Sequence, residues 1–433
     1  MKINRRDLLF ASGFSLLAAT RNFGQSNAAS APTSQPNSRG PEARLLDALQ
    51  RNRLSLTMDD APAGPGWDWL VQQARSARFT LIGEEHGVAE TARLSAALFT
   101  ALRGSGYSRV AIELSPPIVE DIETAARGNG YQGIVDLLTK PDIFTFYNML
   151  EEVRFLADVV KNGPKNEHIL WGLDREIFSD RYLIGKLEPK VPRRAREAFM
   201  RLKEASAAAL ERYKQSPNGD NLFLLSGDPA LASAVIAAWP DADHETELIL
   251  RTLEGSLAIE AAERTGGRWP YSERRAKWFR DNLVAHLKEE QRSKTPTKVL
   301  MKFGYNHLIR GANYVNNFDL GSMVDELAAL TGDTAFHILV LPDAGSRQAV
   351  PGKGRSFGSV STGDFDDFNV GDRRLTRVLP NTNATGHEVI GLRALRPQAT
   401  RGLESWNSDV VKTIYGYDAA VIWKAAHASS GLE

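Results

Sequence analysis

The chain of 433 residues contains no cysteine. Disulfides, thiolate metal sites, a cysteine nucleophile and the lipidated cysteine of a lipoprotein are excluded together. Net charge is missing as well, since 53 Lys and Arg balance 53 Asp and Glu. No global field draws the chain to nucleic acid or to an anionic membrane surface. No stripe of basic and aromatic residues supplies one locally. The N-terminal apolar run at 8–19 is too short to span a bilayer. No fixed-period repeat is found. What remains is ordinary globular composition, 42% hydrophobic and 24% charged. The length exceeds what one ordinary core usually needs.

The N-terminus, "MKINRRDLLFASGFSLLAAT", places Arg5 and Arg6 before that apolar run. This is the charged-then-apolar layout of an export signal. The paired arginines followed by Asp7-Leu8-Leu9-Phe10 resemble a twin-arginine signal, which implies a periplasmic protein. Residues 25–42 are rich in Ser, Ala and Pro and cannot pack a core. Residues 1–42 are therefore expected to be signal and disordered leader, and 43–433 a single domain with no stable membrane anchor.

Short apolar runs at 78–84, 108–117, 168–174, 298–304, 335–342, 387–395 and 418–425 read as strands. "AETARLSAALFTALRGSG" between the first two has Leu94, Leu98 and Leu102 at helical spacing and Gly104 as a stop. Strand, helix, strand implies parallel pairing and a right-handed crossover. Residues 118–162 are mostly helical by pattern, and helical patterning continues from about 175 to 290. Residues 343–376 read as a long loop. The expected fold is α/β: a mostly parallel central sheet with flanking helices and a helical insertion lobe.

Ligands of open α/β sheets gather beyond the carboxyl ends of the strands. "LIGEEHG" ends the first strand with Glu84, Glu85 and His86; Glu113 closes the second, Asp174 the third, and Gly304-Tyr305-Asn306-His307 the fourth. A glycine lets the chain turn, and the histidine three residues on can face the crevice. Consecutive strand residues face opposite ways. Glu85 is expected nearer the site, with Glu84 a structural acid or a supporting partner. Asp174 either serves the site or caps the next helix. Tyr305 and Asn306 are possible substrate contacts. His168, His244, His286, His337, His387 and His427 read as structural or exposed.

The set "LIGEEHGVAETARLSAALFTAL…YSRVAIEL" resembles the superfamily of erythromycin esterases, ChaN-type haem and iron uptake proteins and Tiki/TraB metalloproteases. The resemblance implies that His86, Glu113 and His307 match that superfamily's site residues. Arg275 in "ERRAKWFRDNL" resembles the arginine of the esterases' Arg-Asp helix, and Asp174 in "LWGLD" their Gly-x-Asp strand end. The last strand, "YDAAVIWKA", is also esterase-like. Gly-x-x-His spacing at 83–86 and at 304–307 is nearer to the Tiki and ChaN pattern.

Three functions follow from this resemblance. In the first, an esterase-like hydrolase uses His86 as general base, with Glu113 orienting it and His307 and Arg275 stabilising the oxyanion. Its substrate would be a small molecule with an ester, lactone or amide bond. In the second, His86, Glu113 and His307 ligate Mn²⁺, Co²⁺ or Zn²⁺ in a metal-dependent peptidase. In the third, the protein binds haem or iron without catalysis.

Overall fold

Strand β3 (Phe79–Glu84) is buried at every position, as is β7 (Ala335–Pro342). Strands covered on both faces read as near-continuous apolar runs, which is why they stood out in the sequence. The computed structural model describes residues 40–165, 167–290, 296–348, 362–364, 386–401 and 408–432. The expected export signal at the N-terminus lies outside the described residues, and so does most of 343–376. The described residues fall within one compact unit, Gly40–Glu433. Its first helix, Pro41–Arg51, begins inside the last residues assigned to the leader.

A nine-stranded sheet organises the unit. Its strands are β1 (Arg53–Met58), β2 (Pro62–Ala63), β3, β4 (Tyr107–Ile112), β5 (Leu170–Gly172), β6 (Lys298–Gly304), β7, β10 (His387–Gly391) and β11 (Ala419–Trp423), in the order β2-β1-β10-β11-β7-β3-β6-β4-β5. The run from β11 to β5 is parallel. β1 and β10 add an antiparallel edge. Two short strands, β8 (Ser346–Gln348) and β9 (Thr362–Asp364), pair antiparallel. They correct the reading of 343–376 as loop throughout. β1, β2, β8 and β9 are short or only partly buried, and so leave little periodicity to read.

The period of two divides each strand between two cores. Ile82, Ile112 and Leu300 pack against Leu94 and Leu98 of α3 (Ala89–Leu102), Ile122 of α4 (Pro116–Leu138) and Leu156 of α5 (Leu150–Asn162). Leu81, Ala111 and Met301 face the other way. They pack against Phe279 and Leu283 of the helix Arg268–Glu290 and Val324 of the helix Leu320–Leu330. Each fully buried large side chain of this kind contributes about 1.5–3 kcal/mol. The helix Arg268–Glu290, last of the helical stretch read at 175–290, thus covers the sheet itself.

The chain runs β3, β4, β5 in one direction across the sheet and then returns to slot β6 between β3 and β4. That return places the ends of β3, β6 and β4 side by side.

Candidate active site

β3 ends at Glu84, and His86 stands in the turn that follows it. Nδ1 of His86 is 2.8 Å from Oε1 of Glu84, whose side chain is 1% exposed. Glu85 lines the same cleft, 3.8 Å from Nε of Arg347. Glu84 is thus the supporting partner of His86, and Glu85 stands beside the site. A carboxylate can only accept, so Nδ1 carries the proton and Nε2 faces the cleft. The ring packs on Phe146 at 4.8 Å between centroids.

Glu113 follows β4 directly and leans to the opposite core. Its Oε2 accepts the backbone N–H of Gly304 at 2.6 Å and lies 3.5 Å from Nε2 of His86. Its Oε1 accepts from Nη2 of Arg275 at 2.7 Å and lies 3.4 Å from Nε2 of His307. One carboxylate therefore stands between two imidazoles. Arg275, four residues before buried Phe279 on the same helix, forms a two-pronged pair with Asp174 at 3.0 and 2.5 Å. Its third nitrogen, Nη1, is 3.2 Å from Nε2 of His307. His307 keeps its own carboxylate: Nδ1 donates to Oδ2 of Asp319 at 2.8 Å. Asp319 also caps the helix Leu320–Leu330 through Oδ1.

The charges are strongly conditioned. Burial opposes ionisation of Glu84, but Lys302 and then His86 outweigh it and hold the carboxyl below its ordinary range. Burial likewise opposes the charge of His86; its bond to Glu84 and the charges of Glu113 and Glu84 overcome it, and His86 is raised. Asp174 is buried too, yet Arg275 depresses it.

Glu84, Glu85, His86, Glu113, Arg275 and His307 line a cleft of about 280 Å³, with Tyr305, Asn306 and Arg347 on its wall. The structure brings together Glu84, His86, Glu113, Asp174, Arg275 and His307, with Glu85 on the cleft wall. Asp174 serves the site through Arg275. Asn306 is committed to a backbone bond from Tyr314 at 3.1 Å. Gly83 keeps an ordinary backbone; its need is close approach, since a Cβ there would meet the Tyr417 hydroxyl at 2.9 Å and Cα of Tyr305 at 3.0 Å. The other histidines stand apart. His337 is fully buried and donates to the Leu308 carbonyl, while His168 and His427 are 78% and 74% exposed.

Four partners escaped the sequence reading: Lys302, Glu152, Asp319 and Arg347. Lys302 left a signal, because a lysine inside "KVLMKFG" is costly to bury without a partner. Asp319 also left one, standing just before an apolar helical run. Glu152 and Arg347 are not distinguishable from surface charges by sequence.

A larger cavity, about 700 Å³, runs along the free edge of β5. Its polar groups serve structure. Arg109 pairs with Glu290 and Glu167 there; behind the lining, Glu123 accepts the N–H groups of Ile169 and Leu170. His286 stacks on Trp171 at 4.9 Å, and burial pushes it down to about 4, keeping it neutral.

The donor set fits a metal ion poorly. Both oxygens of Glu113 are engaged, and the Arg275 guanidinium fills the space among Glu113, Asp174 and His307. Among the described residues, no group of three or more His, Asp or Glu side chains is arranged to hold one.

No family model matches the chain, and no curated protein matches it either. Solved structures do. A succinoglycan biosynthesis protein superposes with a TM-score of 0.59 at 14% identity, covering 90% of this chain and 99% of its own. A Bacillus cereus protein gives 0.56 at 13%, covering 90% and 99%. A mutant of the erythromycin esterase EreC, in its open conformation, gives 0.56 at 12%, covering 88% and 99%. Over nearly the whole of each of these proteins, this chain has the fold of an erythromycin esterase.

Proposed function

We propose that the cleft hydrolyses an ester, lactone or amide with water activated by His86. One observation carries the reading: Glu84 holds the Nδ1 proton of His86, so Nε2 is left to accept a proton in the cleft, 3.5 Å from Glu113. His86 is the base, and its raised affinity for protons suits that work. Glu113, fixed by Gly304 and Arg275, stabilises the imidazolium as it forms. Arg275, pinned by Asp174, is the fixed cation against which a developing oxyanion would be stabilised. The proton that His86 takes from water is then the one passed to the leaving group, while His307, paired to Asp319, helps hold Arg275 in place. The likeness to an esterase in fold supports this reading, as does the matching set of strand-end residues.

The metal-dependent peptidase is the weaker reading. Its metal ion would have to displace Arg275 from Glu113 and His307.

The test is turnover of p-nitrophenyl esters, simple lactones and anilides by the purified protein and by His86→Ala. Hydrolysis that the variant loses by ~10²–10⁴-fold is expected. Wild-type protein inert toward all three classes, or an equally active variant, overturns the proposal.

A further inference from the structure

Lys302 is fully buried in the middle of the sheet, and its Nζ lies 2.7 Å from Oε1 of Glu84. That oxygen is the one bonded to Nδ1 of His86. We infer that Lys302 is a positioning residue: it holds Glu84 ionised and fixed, so that His86 keeps its proton on Nδ1 and turns an unprotonated Nε2 to the cleft. The inference rests on the reading of His86 as the base.

The geometry carries the argument. Oε2 of Glu84 is buried with no hydrogen-bond partner, so Oε1 alone anchors the carboxylate, from the histidine on one side and the lysine on the other. Glu152 of α5 grips Lys302 from behind at 2.8 Å, and its own second oxygen is also orphaned. The rings of Tyr147 and Phe155 close over the ammonium at 4.9 and 5.9 Å. Glu113, Arg275 and His307 face the far side of the His86 ring.

Stability alone gives little reason for such a cluster, because apolar side chains of similar volume commonly replace buried ion groups without loss. Its consequence for His86 is specific. A buried carboxyl without a counter-charge takes up a proton. Protonated on Oε1, Glu84 would donate to Nδ1, and the imidazole proton would move to Nε2. Such a ring cannot accept a proton from water. Lys302 prevents that exchange by favouring the carboxylate.

The experiment reads the tautomer directly. The full chain is labelled with ¹⁵N-histidine, and His86 is assigned by difference from His86→Ala, at a pH where the ring is neutral. Wild type should show the Nδ1–H tautomer. Lys302→Met should shift His86 toward Nε2–H and lower kcat for an ester probe on the order of 100-fold, with KM little changed. Glu152→Gln, which leaves Lys302 on Glu84, should keep the wild-type tautomer. Should Lys302→Met fail to fold, the double variant Lys302→Met with Glu152→Leu leaves fewer buried charges and gives the same reading. A folded Lys302 variant that retains pure Nδ1–H, or a wild type that lacks it, overturns the inference. The spectrum needs no turnover, so a protein that hydrolyses nothing defeats the proposed function separately.

Discussion

Glu113 and Gly304 are 191 positions apart, and the carboxylate of one accepts the backbone N–H of the other at 2.6 Å. The bond exists because β6 lies beside β4. It also fixes how near the chain can come to the working nitrogen.

A Cβ at position 304 would lie 3.2 Å from Nε2 of His86 and 3.4 Å from Oε2 of Glu113. Gly304 has φ −52°, which any residue adopts. Gly304→Ala should therefore change thermal stability little, within about 0.5 kcal/mol, while crowding the nitrogen that meets water. Steady-state kinetics should show a lower kcat. Unchanged turnover would mean that this face of the ring is idle.

Arg275 is held by Asp174 and Glu113, both almost fully buried. Arg275→Met would strand two carboxylates away from water. Breaking a buried pair by removing one partner costs about 3–5 kcal/mol, to be read as a lowered urea midpoint. Arg275→Lys should recover only part of the loss, since an ammonium cannot match the two-pronged contact. Equal stability of all three proteins would refute the assignment.

The pH dependence of stability has a definite sign. His86 is raised, so its contribution is complete below its unfolded value and fades as pH rises through the folded one. Glu152 is pushed up by burial to about 7, so between its ordinary range and that value the folded state binds more protons than the unfolded. Stability falls as pH rises through this window. Glu84 and Asp174 are depressed, and their contribution is lost only in acid, as pH falls through their folded values. Denaturation followed from pH 4.5 to 8 should show the decline, and Glu152→Gln should flatten it. A variant with the wild-type slope would remove Glu152 from the account.

Chelation separates the two hydrolytic readings. With Arg275 occupying the centre of the donor set, dialysis against a strong chelator should leave ester turnover unchanged. Activity lost on chelation and restored by Mn²⁺, Co²⁺ or Zn²⁺ would favour the metal-dependent enzyme.

The α/β class was legible in the amino-acid order, as were strands read at 78–84, 108–117, 168–174 and 298–304 and the polar residues at their ends. Those strands are buried on both faces, so their apolar runs are written without reference to anything distant. It also marked His86, Glu113, Asp174, Arg275 and His307, through local patterns and a family resemblance. Which of them meet depends on how the strands are ordered in the sheet. The insertion of β6 between β3 and β4 made Glu113 the bridge between two histidines. The turn after β3, together with the buried Lys302, made Glu84 rather than Glu85 the partner of His86. Burial and charge at those positions depend on which strand lies alongside, and a linear pattern carries no record of that.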